Sequence, residues 1–511
     1  MTISRRFFAT TMAGVAGCLS GRLQALRPCP KLFVFLLAEQ FRQVYLERGG
    51  SLLAPTGFRE LMTKCVYYPN CGLAASSFTA SGLATLATGA YPQLHGIVAD
   101  RWFDRRARSV SRARAEMLAA GTLADEAVRA GCRVFCLGMS EGPASLLAGR
   151  SKAQMFWMDP EGRFRTRDNV PEWLEDFNQT WSARNYRDTK WSAIGARPDT
   201  PPLRTLTYDP RRPEDFMALY LASPNSQFTQ FALLLQLLSS EKLGQGETLD
   251  LVFVSLGSMA LLGYETGSDS PLMIQLALHL DRQIQRTLEA LNLAPGRNNY
   301  NLIFAAAHGA LADPDALLHS QQPVSSESVA RAINSGLSDW FDKGTAKKNM
   351  YVDKYIYPFL YLKLDVLRER NIAPRSARQI SGEVALRVPG VAGYYTADGD
   401  CSYTGEWRRR FENSFHELRS GDVMLSYEPG AVEDFSAGRG VSYGSLYNYD
   451  TRVPLFLYGP QFGRKQIERV IETVDLAPTM ARAAGFGVPS SATGEVLAEA
   501  FAEAGEDERG K

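Results

Sequence analysis

Short, continuous apolar runs recur along the chain, and they constrain its fold more than any other feature. Runs of this kind, without polar alternation, are typical of parallel strands that are buried on both faces of a sheet. They lie at 31–37, 133–139, 249–256, 302–307, 423–427 and 453–458. Helical patterns separate them, and over 273–291 the apolar residues recur on one face of a 3.6-residue period. The alternation predicts an α/β fold in which helices cover a mostly parallel central sheet.

The charge and hydropathy of the chain limit what it can bind. The 511 residues include 56 Lys and Arg against 55 Asp and Glu, which gives a net charge of +1. That balance leaves no excess of positive charge that would attract nucleic acid or an anionic membrane surface. After the N-terminus, no apolar run reaches the roughly 18–20 residues that a membrane span needs. We therefore predict neither a nucleic-acid partner nor a transmembrane span.

The predicted organisation has three parts. Residues 1–28 form an export signal, residues 29–490 form one α/β domain, and residues 491–511 form a C-terminal tail. Two stretches fit the strand–helix rhythm poorly: 151–213 is rich in Trp, Arg, Asp and Pro, and 321–419 mixes helix and strand patterns. We predict that both are insertions, which form a cap beside the core sheet.

The first 28 residues have the pattern of a targeting segment rather than of a fold. Arg5-Arg6 precedes a short, mildly apolar stretch, and this arrangement resembles a Tat-type export signal. Residues 15–18 (Val-Ala-Gly-Cys) also resemble a lipobox, in which Cys18 would carry a lipid anchor, whereas 23–25 (Leu-Gln-Ala) offers an ordinary cleavage site. An uncleaved terminus with a chance arginine pair is the remaining alternative. The signal predicts an exported protein, either periplasmic or anchored to the membrane as a lipoprotein.

Export allows disulfides, but Cys132 and Cys136 are predicted to be free thiols. Both lie in one predicted strand, and four residues of strand span roughly 13 Å, beyond the roughly 7 Å between Cα atoms that a disulfide allows. The pairing of the other cysteines stays open.

Four ordered segments carry a resemblance to a known family. They are Ala-Glu-Gln-Phe-Arg at 38–42, the stretch 78–97 that begins Phe-Thr-Ala-Ser-Gly, Ala-Ala-His-Gly at 306–309, and Tyr-Gly-Ser-Leu-Tyr-Asn-Tyr-Asp-Thr at 443–451. In this order and spacing, with Asp-Leu-Ala-Pro-Thr at 475–479, they resemble the alkaline phosphatase superfamily, in particular its Thr-nucleophile phosphatase and nucleotide pyrophosphatase/phosphodiesterase branches. The resemblance covers nearly everything after Lys31. It implies a three-layer α/β fold and phosphoryl chemistry on two zinc ions roughly 4 Å apart.

The family's nucleophile position falls on Thr79. This residue opens a predicted helix, and a helix N-terminus supplies free N–H groups and a positive dipole end that suit an anion. Taken alone, Thr79 could equally be a simple helix N-cap. The resemblance favours the nucleophile.

The metal positions of the family are mostly altered in this chain. The resemblance places six metal ligands in this chain. One is retained, His308, and one is conservatively changed, Glu39. At the other four positions the ligand is lost, and the residues there are Ala260, Tyr264, Ala307 and Tyr443. Alanine has no donor atom, and a neutral tyrosine, with a pKa near 10, is a poor zinc ligand. The sequence therefore predicts that no cofactor is bound.

The phosphate-binding positions are altered as well. An Asn donor of the Thr-phosphatases falls on Asp100, whose charge would repel phosphate. A Lys-x-Arg pair of one branch would fall on Ser140 and Gly142, neither of which is basic.

Three hypotheses follow. The first is an exported pseudophosphatase that has lost catalysis and binds an unknown ligand or protein partner. The alternative is an active phosphomonoester or phosphodiester hydrolase, which uses Thr79 with a reduced zinc site of Glu39 and His308. The third is a pocket for a cation or a polyol between Tyr264, Tyr443, Glu39 and Asp100, unless the tyrosines only fill the vacated volume.

Overall fold

The computed structural model describes residues 29–167, 169–311, 324–346, 348–431, 433 and 443–502. The predicted export signal, with Arg5, Arg6 and Cys18, lies outside the described residues, as do residues 503–511.

The strands of the described residues are β1 (Leu32–Gln40), β2 (Val66–Gly72), β3 (Arg101–Asp104), β4 (Ser109–Arg112), β5 (Arg133–Gly138), β6 (Gln154–Met158), β7 (Phe164–Thr166), β8 (Lys190–Trp191), β9 (Arg204–Thr205), β10 (Asp250–Leu256), β11 (Tyr300–His308), β12 (Val352–Ile356), β13 (Phe359–Leu362), β14 (Val391–Thr396), β15 (Val423–Tyr427), β16 (Arg452–Tyr458), β17 (Lys465–Gln466) and β18 (Ile471–Glu472).

The α-helices of the described residues are α1 (Val44–Gly49), α2 (Phe58–Lys64), α3 (Thr79–Thr88), α4 (Pro92–His95), α5 (Leu123–Arg129), α6 (Glu141–Ala148), α7 (Glu172–Thr180), α8 (Pro213–Leu221), α9 (Pro224–Ser240), α10 (Ser258–Thr266), α11 (Pro271–Leu291), α12 (Ser326–Phe341), α13 (Leu364–Glu369), α14 (Pro374–Ala385), α15 (Gly405–Ser414), α16 (Asn448–Thr451) and α17 (Leu476–Ala484).

The central sheet confirms the predicted α/β class. Within the described residues it has ten strands, in the order β17-β2-β16-β11-β1-β10-β5-β6-β7, and β18 pairs with β2. Strand β1 lies in the middle and pairs in parallel with β10 and β11. Strands β10 and β11 are buried along their whole length, as their continuous apolar sequences predict.

Two of the six apolar runs form antiparallel strands, although each was expected to be a parallel strand of the mostly parallel sheet. The run at 453–458 forms β16, which pairs antiparallel with β11. The run at 423–427 forms β15, which belongs to a separate four-stranded antiparallel sheet with the order β12-β13-β15-β14. The parallel direction predicted for these two strands was wrong, because a fully buried antiparallel strand has the same kind of apolar sequence as a parallel one. Here α12, α14 and α15 pack against the second sheet and bury β15 completely.

The two stretches expected to be insertions behave differently. Residues 324–427, as far as they are described, form the second sheet and its helices. Within 151–213, β6 and β7 instead extend the central sheet beyond β5, and only the remainder lies outside the sheet. At the C-terminus, Leu497 and Ala500 are fully buried, so the residues up to 502 belong to the folded body rather than to a tail.

Two smaller expectations concern thiols and membranes. Cys136 is buried and Cys132 is half-buried, and both are free thiols, as the strand geometry predicts. Among the helices that the structure describes, none is long and apolar enough to cross a bilayer.

Candidate active site

The carboxyl ends of β1, β10 and β11 meet at one edge of the central sheet, where α/β folds bind their ligands. Gln40 at the end of β1 pairs in register with His308 at the end of β11. Glu39 therefore lies one residue before the edge. Its carboxylate lies against Gly257, the first residue after β10.

Helix α3 brings Thr79 to this edge. The residue before it, Phe78, is extended, and Thr79 is the first residue of the helix. One turn further on, Gly82 packs directly on β11, where a Cβ atom would lie 2.2 Å from the main-chain oxygen of Ala307. Only glycine permits this approach. It holds the first turn of α3 against the strand end that carries His308.

A loop from the C-terminal part of the chain closes the other side. Gly444 has a φ of +105° and packs against the ring of Phe78, where a Cβ would lie only 2.4 Å from the ring carbons. The Ser77 hydroxyl donates to the Ser445 carbonyl at 2.7 Å. These contacts place Tyr443 over His308, with ring centroids 4.4 Å apart and an interplanar angle of 20°.

The Thr79 hydroxyl and the His308 ring form a hydrogen bond, with 2.9 Å between Oγ1 and Nε2. The other ring nitrogen, Nδ1, lies 2.6 Å from the carbonyl oxygen of Gly309. A carbonyl only accepts, so Nδ1 carries the proton and Nε2 presents its lone pair to the threonine. Burial lowers the pKa of His308 to about 4, so the ring is neutral at physiological pH. The hydroxyl of Thr79 therefore donates to a neutral imidazole.

Asp100 lies at the N-terminus of helix α3, next to Thr79. Its Oδ1 accepts the main-chain N–H of Ala80 at 2.7 Å, and its Oδ2 accepts the hydroxyl of Tyr443 at 3.1 Å. Burial raises the pKa of Asp100, and the two hydrogen bonds oppose that rise. The charge of Asp100 and then burial raise the pKa of Tyr443 well above its usual range, so the phenol keeps its proton.

Glu39 is the second carboxyl group of the pocket. It accepts the Ser255 hydroxyl at 2.9 Å through Oε1. Burial raises the pKa of Glu39 to about 7, the Ser255 hydrogen bond opposes that rise, and the nearby charge of Asp100 adds to it. The structure thus brings together Glu39, Thr79, Asp100, His308 and Tyr443 from five separate segments of the chain.

The remaining predicted positions lie on helices α10 and α6. Ala260 is buried in the first turn of α10, whereas Tyr264, at its end, is 40% exposed. Ser140 is the N-cap of α6 and Gly142 lies in its first turn, so neither supplies a cation.

A wide cleft of about 1690 Å³ follows α10, and the sequence analysis did not predict it. Its wall includes Tyr264 and Leu261 together with three aromatic residues, Trp157, Tyr208 and Phe216. The aromatic and arginine content of 151–213 was the signal that could have indicated it. The guanidinium of Arg187, for example, stacks over Tyr208 at 3.5 Å.

The residues present do not fit a pair of zinc ions, because four of the six family positions lack a suitable donor. Among the described residues, no group of three or more His, Cys, Asp and Glu side chains is placed to hold a metal ion. The donors that remain, Glu39 and His308 with the Thr79 hydroxyl, fit one divalent ion at most. The lone pair of His308 Nε2 faces Thr79 Oγ1.

Comparison with known proteins identifies the family. The model of the type I phosphodiesterase / nucleotide pyrophosphatase family matches residues 33–438, and the chain belongs to this family. Alkaline phosphatase PafA of Elizabethkingia meningoseptica is 22% identical over 95% of this chain and 97% of its own. Alkaline phosphatase PhoV of Synechococcus elongatus is 23% identical over 92% of both chains. The crystal structure of PafA has a TM-score of 0.82 and 21% identity, and covers 93% of this chain and 100% of its own.

These comparisons correct two of the predictions. The prediction of a protein that is not an enzyme is contradicted, because relatives that match nearly the whole chain are alkaline phosphatases in a phosphodiesterase family. The prediction that no cofactor is bound is contradicted as well, because the relatives are alkaline phosphatases, and the resemblance to that superfamily implies zinc. Both errors came from counting lost ligands without weighing the hydrogen bond between Thr79 and His308. The chain is a member of a phosphoester hydrolase superfamily.

Proposed function

We propose that the protein is a phosphoric-ester hydrolase that uses Thr79 as its nucleophile. The observation that carries the proposal is the 2.9 Å contact between Thr79 Oγ1 and the unprotonated Nε2 of His308. A hydroxyl that donates to a neutral imidazole, itself oriented by a carbonyl, has the arrangement of an activated nucleophile.

The chain's own residues account for the proton in the first half of the reaction. As Thr79 Oγ1 bonds to phosphorus, its proton passes to His308 Nε2 and the bond from phosphorus to the leaving oxygen breaks. The imidazolium then returns the proton to the leaving oxygen, and the alcohol departs.

The second half releases the phosphoryl group from Thr79. A water molecule gives its proton to His308 Nε2 and attacks phosphorus. The bond from phosphorus to Thr79 Oγ1 then breaks, and the proton returns to the threonine. The sum is one ester and one water converted to one alcohol and one phosphate. The Nδ1–H of His308, held by Gly309, keeps the ring in the required tautomer throughout.

A single divalent ion is compatible with this site. Glu39 and His308 would hold it, with the Thr79 oxygen as a third donor; because Nε2 carries the only lone pair of the His308 ring, a bound ion would take the place of the Thr79 proton and His308 would then be a ligand rather than the base. A bound ion would supply positive charge to the phosphoryl oxygens and lower the pKa of the threonine hydroxyl.

The test is a screen of phosphomonoesters and phosphodiesters with the purified protein and added Zn²⁺, Mg²⁺ or Mn²⁺. We expect turnover that Thr79→Ala reduces by at least about a thousandfold, because the covalent route is lost. Thr79→Ser should keep a measurable fraction. The matched control is Thr88→Ala, at the far end of the same helix, which should leave the rate nearly unchanged.

Mass spectrometry of acid-quenched protein provides a second readout. A phosphate added to the peptide that contains Thr79 is the expected result with an ester substrate. Turnover that survives Thr79→Ala, or no hydrolysis of any ester with any of the three ions, contradicts the proposal.

We also propose that the protein acts outside the cytoplasm. The support is the twin-arginine pattern of residues 1–28, with Cys18 as the candidate for lipid attachment. Cell fractionation of the full chain against an Arg5→Lys, Arg6→Lys variant tests this, since the variant should stay in the cytoplasm.

A further inference from the structure

We propose that the wide cleft beside helix α10 is a binding site for a neutral oligosaccharide, separate from the Thr79 pocket. The cleft has a volume of about 1690 Å³. Of the described residues that line it, none belongs to the five that form the Thr79 pocket. The inference goes beyond the proposed function, because binding in the cleft requires no reaction at Thr79.

The cleft lies at the carboxyl ends of two strands of the central sheet. Ser140 follows β5 and Met158 ends β6, and both line the cleft. These strands run parallel to β10, so they end at the same edge of the sheet as β1 and β11. α/β folds bind ligands along this edge. The volume exceeds the roughly 300–1,000 Å³ of a site for one small ligand, so the cleft has room for several linked units.

Aromatic side chains form the walls of the cleft. Tyr264 is 40% exposed, and Trp157 and Tyr208 are half-buried. Phe216 packs against Tyr208, edge to face, with ring centroids 5.7 Å apart. The face of an aromatic ring carries partial negative charge and the C–H groups of a sugar carry partial positive charge, so a sugar ring packs flat on such a face. Because Tyr264 lies on α10 and Trp157 on β6, the cleft offers platforms for more than one sugar unit.

Most carboxyl groups in the wall have a cationic partner. The wall contains five carboxyl groups, and three of them form ion pairs with arginines outside it. The pairs are Asp159–Arg165 at 2.5 Å, Glu265–Arg204 at 2.9 Å and Glu141–Arg167 at 3.6 Å. Because opposite charges compensate each other within each pair, these groups do not select a charged ligand.

The other charged groups of the wall provide hydrogen bonds of both kinds. They are two carboxylates, Glu161 and Glu214, and two guanidinium groups, Arg184 and Arg187, and all four residues are exposed. The guanidinium of Arg187 stacks on Tyr208 at 3.5 Å, so its N–H groups point outward in the plane of the stack. Carboxylates only accept hydrogen bonds and guanidinium groups only donate them, whereas a sugar hydroxyl does both. The two charges of each sign cancel, and exposed charges attract an ion weakly. A neutral ligand rich in hydroxyls therefore fits the cleft better than an ion.

The experiment measures binding of defined probes to the purified protein, by saturation-transfer NMR and then by calorimetry. The neutral probes are maltotriose, cellotriose and chitotriose, and the charged probes are spermidine, citrate and the zwitterion trialanine. We expect at least one trisaccharide to bind and all three charged probes to bind at least about tenfold more weakly. If only a charged probe binds, or if none of the six binds, the inference is overturned.

Substitutions locate the site. Tyr264→Ala and Trp157→Ala should each weaken trisaccharide binding by at least about tenfold, because a stacking platform is lost. Trp157→Phe keeps an aromatic face and should retain affinity within about threefold, and Tyr264→Ala changes an exposed side chain, so the test does not depend on how well Trp157→Ala folds. Trp340→Ala is the matched control, since Trp340 is 67% exposed on α12, outside the cleft, and it should leave the affinity unchanged. Trisaccharide binding that neither Tyr264→Ala nor Trp157→Ala weakens contradicts the inference.

The same titration with Thr79→Ala protein separates this inference from the proposed function. The affinity for the trisaccharide should equal that of wild type, because Thr79 does not line the cleft. If binding disappears in Thr79→Ala, the sugar binds in the Thr79 pocket and the inference is overturned. If the trisaccharide binds as expected while no ester is hydrolysed, the inference stands and the proposed function fails.

Discussion

Two threonines of helix α3 each form a hydrogen bond with a buried histidine from elsewhere in the chain. The two pairs have similar geometry and differ in which ring nitrogen of the histidine carries the proton. Near its start, Thr79 Oγ1 lies 2.9 Å from His308 Nε2. Further along, Thr85 Oγ1 lies 3.1 Å from His95 Nε2. Burial lowers the pKa of both rings, to about 4 for His308 and about 3 for His95, so both are neutral. Charge therefore does not distinguish the pairs.

The direction of the hydrogen bond between threonine and histidine distinguishes the two pairs. His95 Nδ1 accepts the N–H of Ile97 at 3.1 Å, so its proton is on Nε2 and is donated to Thr85. The Thr85 hydroxyl gives its own proton to the Ser81 carbonyl at 2.8 Å. His308, in contrast, has its proton on Nδ1 and accepts from its threonine. A main-chain acceptor beside one ring and a main-chain donor beside the other thus decide which pair can activate an oxygen.

The largest effect is expected from removing the acceptor of the reactive pair. His308→Ala should lower kcat by roughly 10²–10⁴-fold, the contribution that a positioned base commonly makes. KM should change much less, because the ring does not contribute charge to substrate binding. Steady-state kinetics with the best substrate of the screen measures both.

His416→Ala is the matched control, since this half-buried histidine lies outside the pocket. It should leave kcat within about twofold of wild type, as is usual for changes away from the site. A His308→Ala protein that is folded and retains full kcat would show that the Thr79 pair is no more reactive than the Thr85 pair.

The next effect concerns Asp450, whose main-chain carbonyl supports Gly309 and whose carboxyl group is buried beside it. The main-chain carbonyl of Asp450 accepts the Gly309 N–H at 2.6 Å, and the side-chain Oδ2 of Asp450 accepts the Ser445 N–H at 3.1 Å. Burial raises the pKa of Asp450 to about 7, whereas an aspartate in an unfolded chain titrates near 3.9. Between about pH 4 and 7 the folded state holds the extra proton, so the free energy of unfolding falls as the pH rises through this window.

That fall amounts to as much as roughly 4 kcal/mol from this group alone. Asp450→Asn, which stays neutral, should remove this part of the decline. Urea unfolding at pH 5 and pH 8 measures it for both proteins. The same loss of stability with pH in wild type and variant would exclude Asp450 as its source.

The sequence predicted the elements of this site better than its chemistry. The apolar runs predicted β1, β10 and β11, and the residues that follow them, such as Glu39 and His308, do meet at one edge of the sheet. The proton directions could not be predicted, because they depend on main-chain groups at 97 and 309 whose positions only the folded loops define. The contact of Asp100 with the Ala80 N–H is of the same kind. The substitutions at the family's metal-ligand positions were visible in the sequence. Their effect on the hydrogen bonds of the residues that remain, such as Thr79 and His308, was not.

The smallest effect is expected from the second pair, and it should appear in stability rather than in rate. Thr85→Ala leaves the Nε2–H of fully buried His95 without its acceptor, which costs about 1–3 kcal/mol. Thr85→Ser keeps the hydroxyl and should recover most of that loss, as thermal unfolding of the three proteins would show. Because the Thr85 proton points away from the ring, kcat/KM of folded Thr85→Ala should stay within about twofold of wild type. A rate loss comparable to that of Thr79→Ala, at unchanged stability, would mean that proton direction does not separate a reactive pair from a structural one.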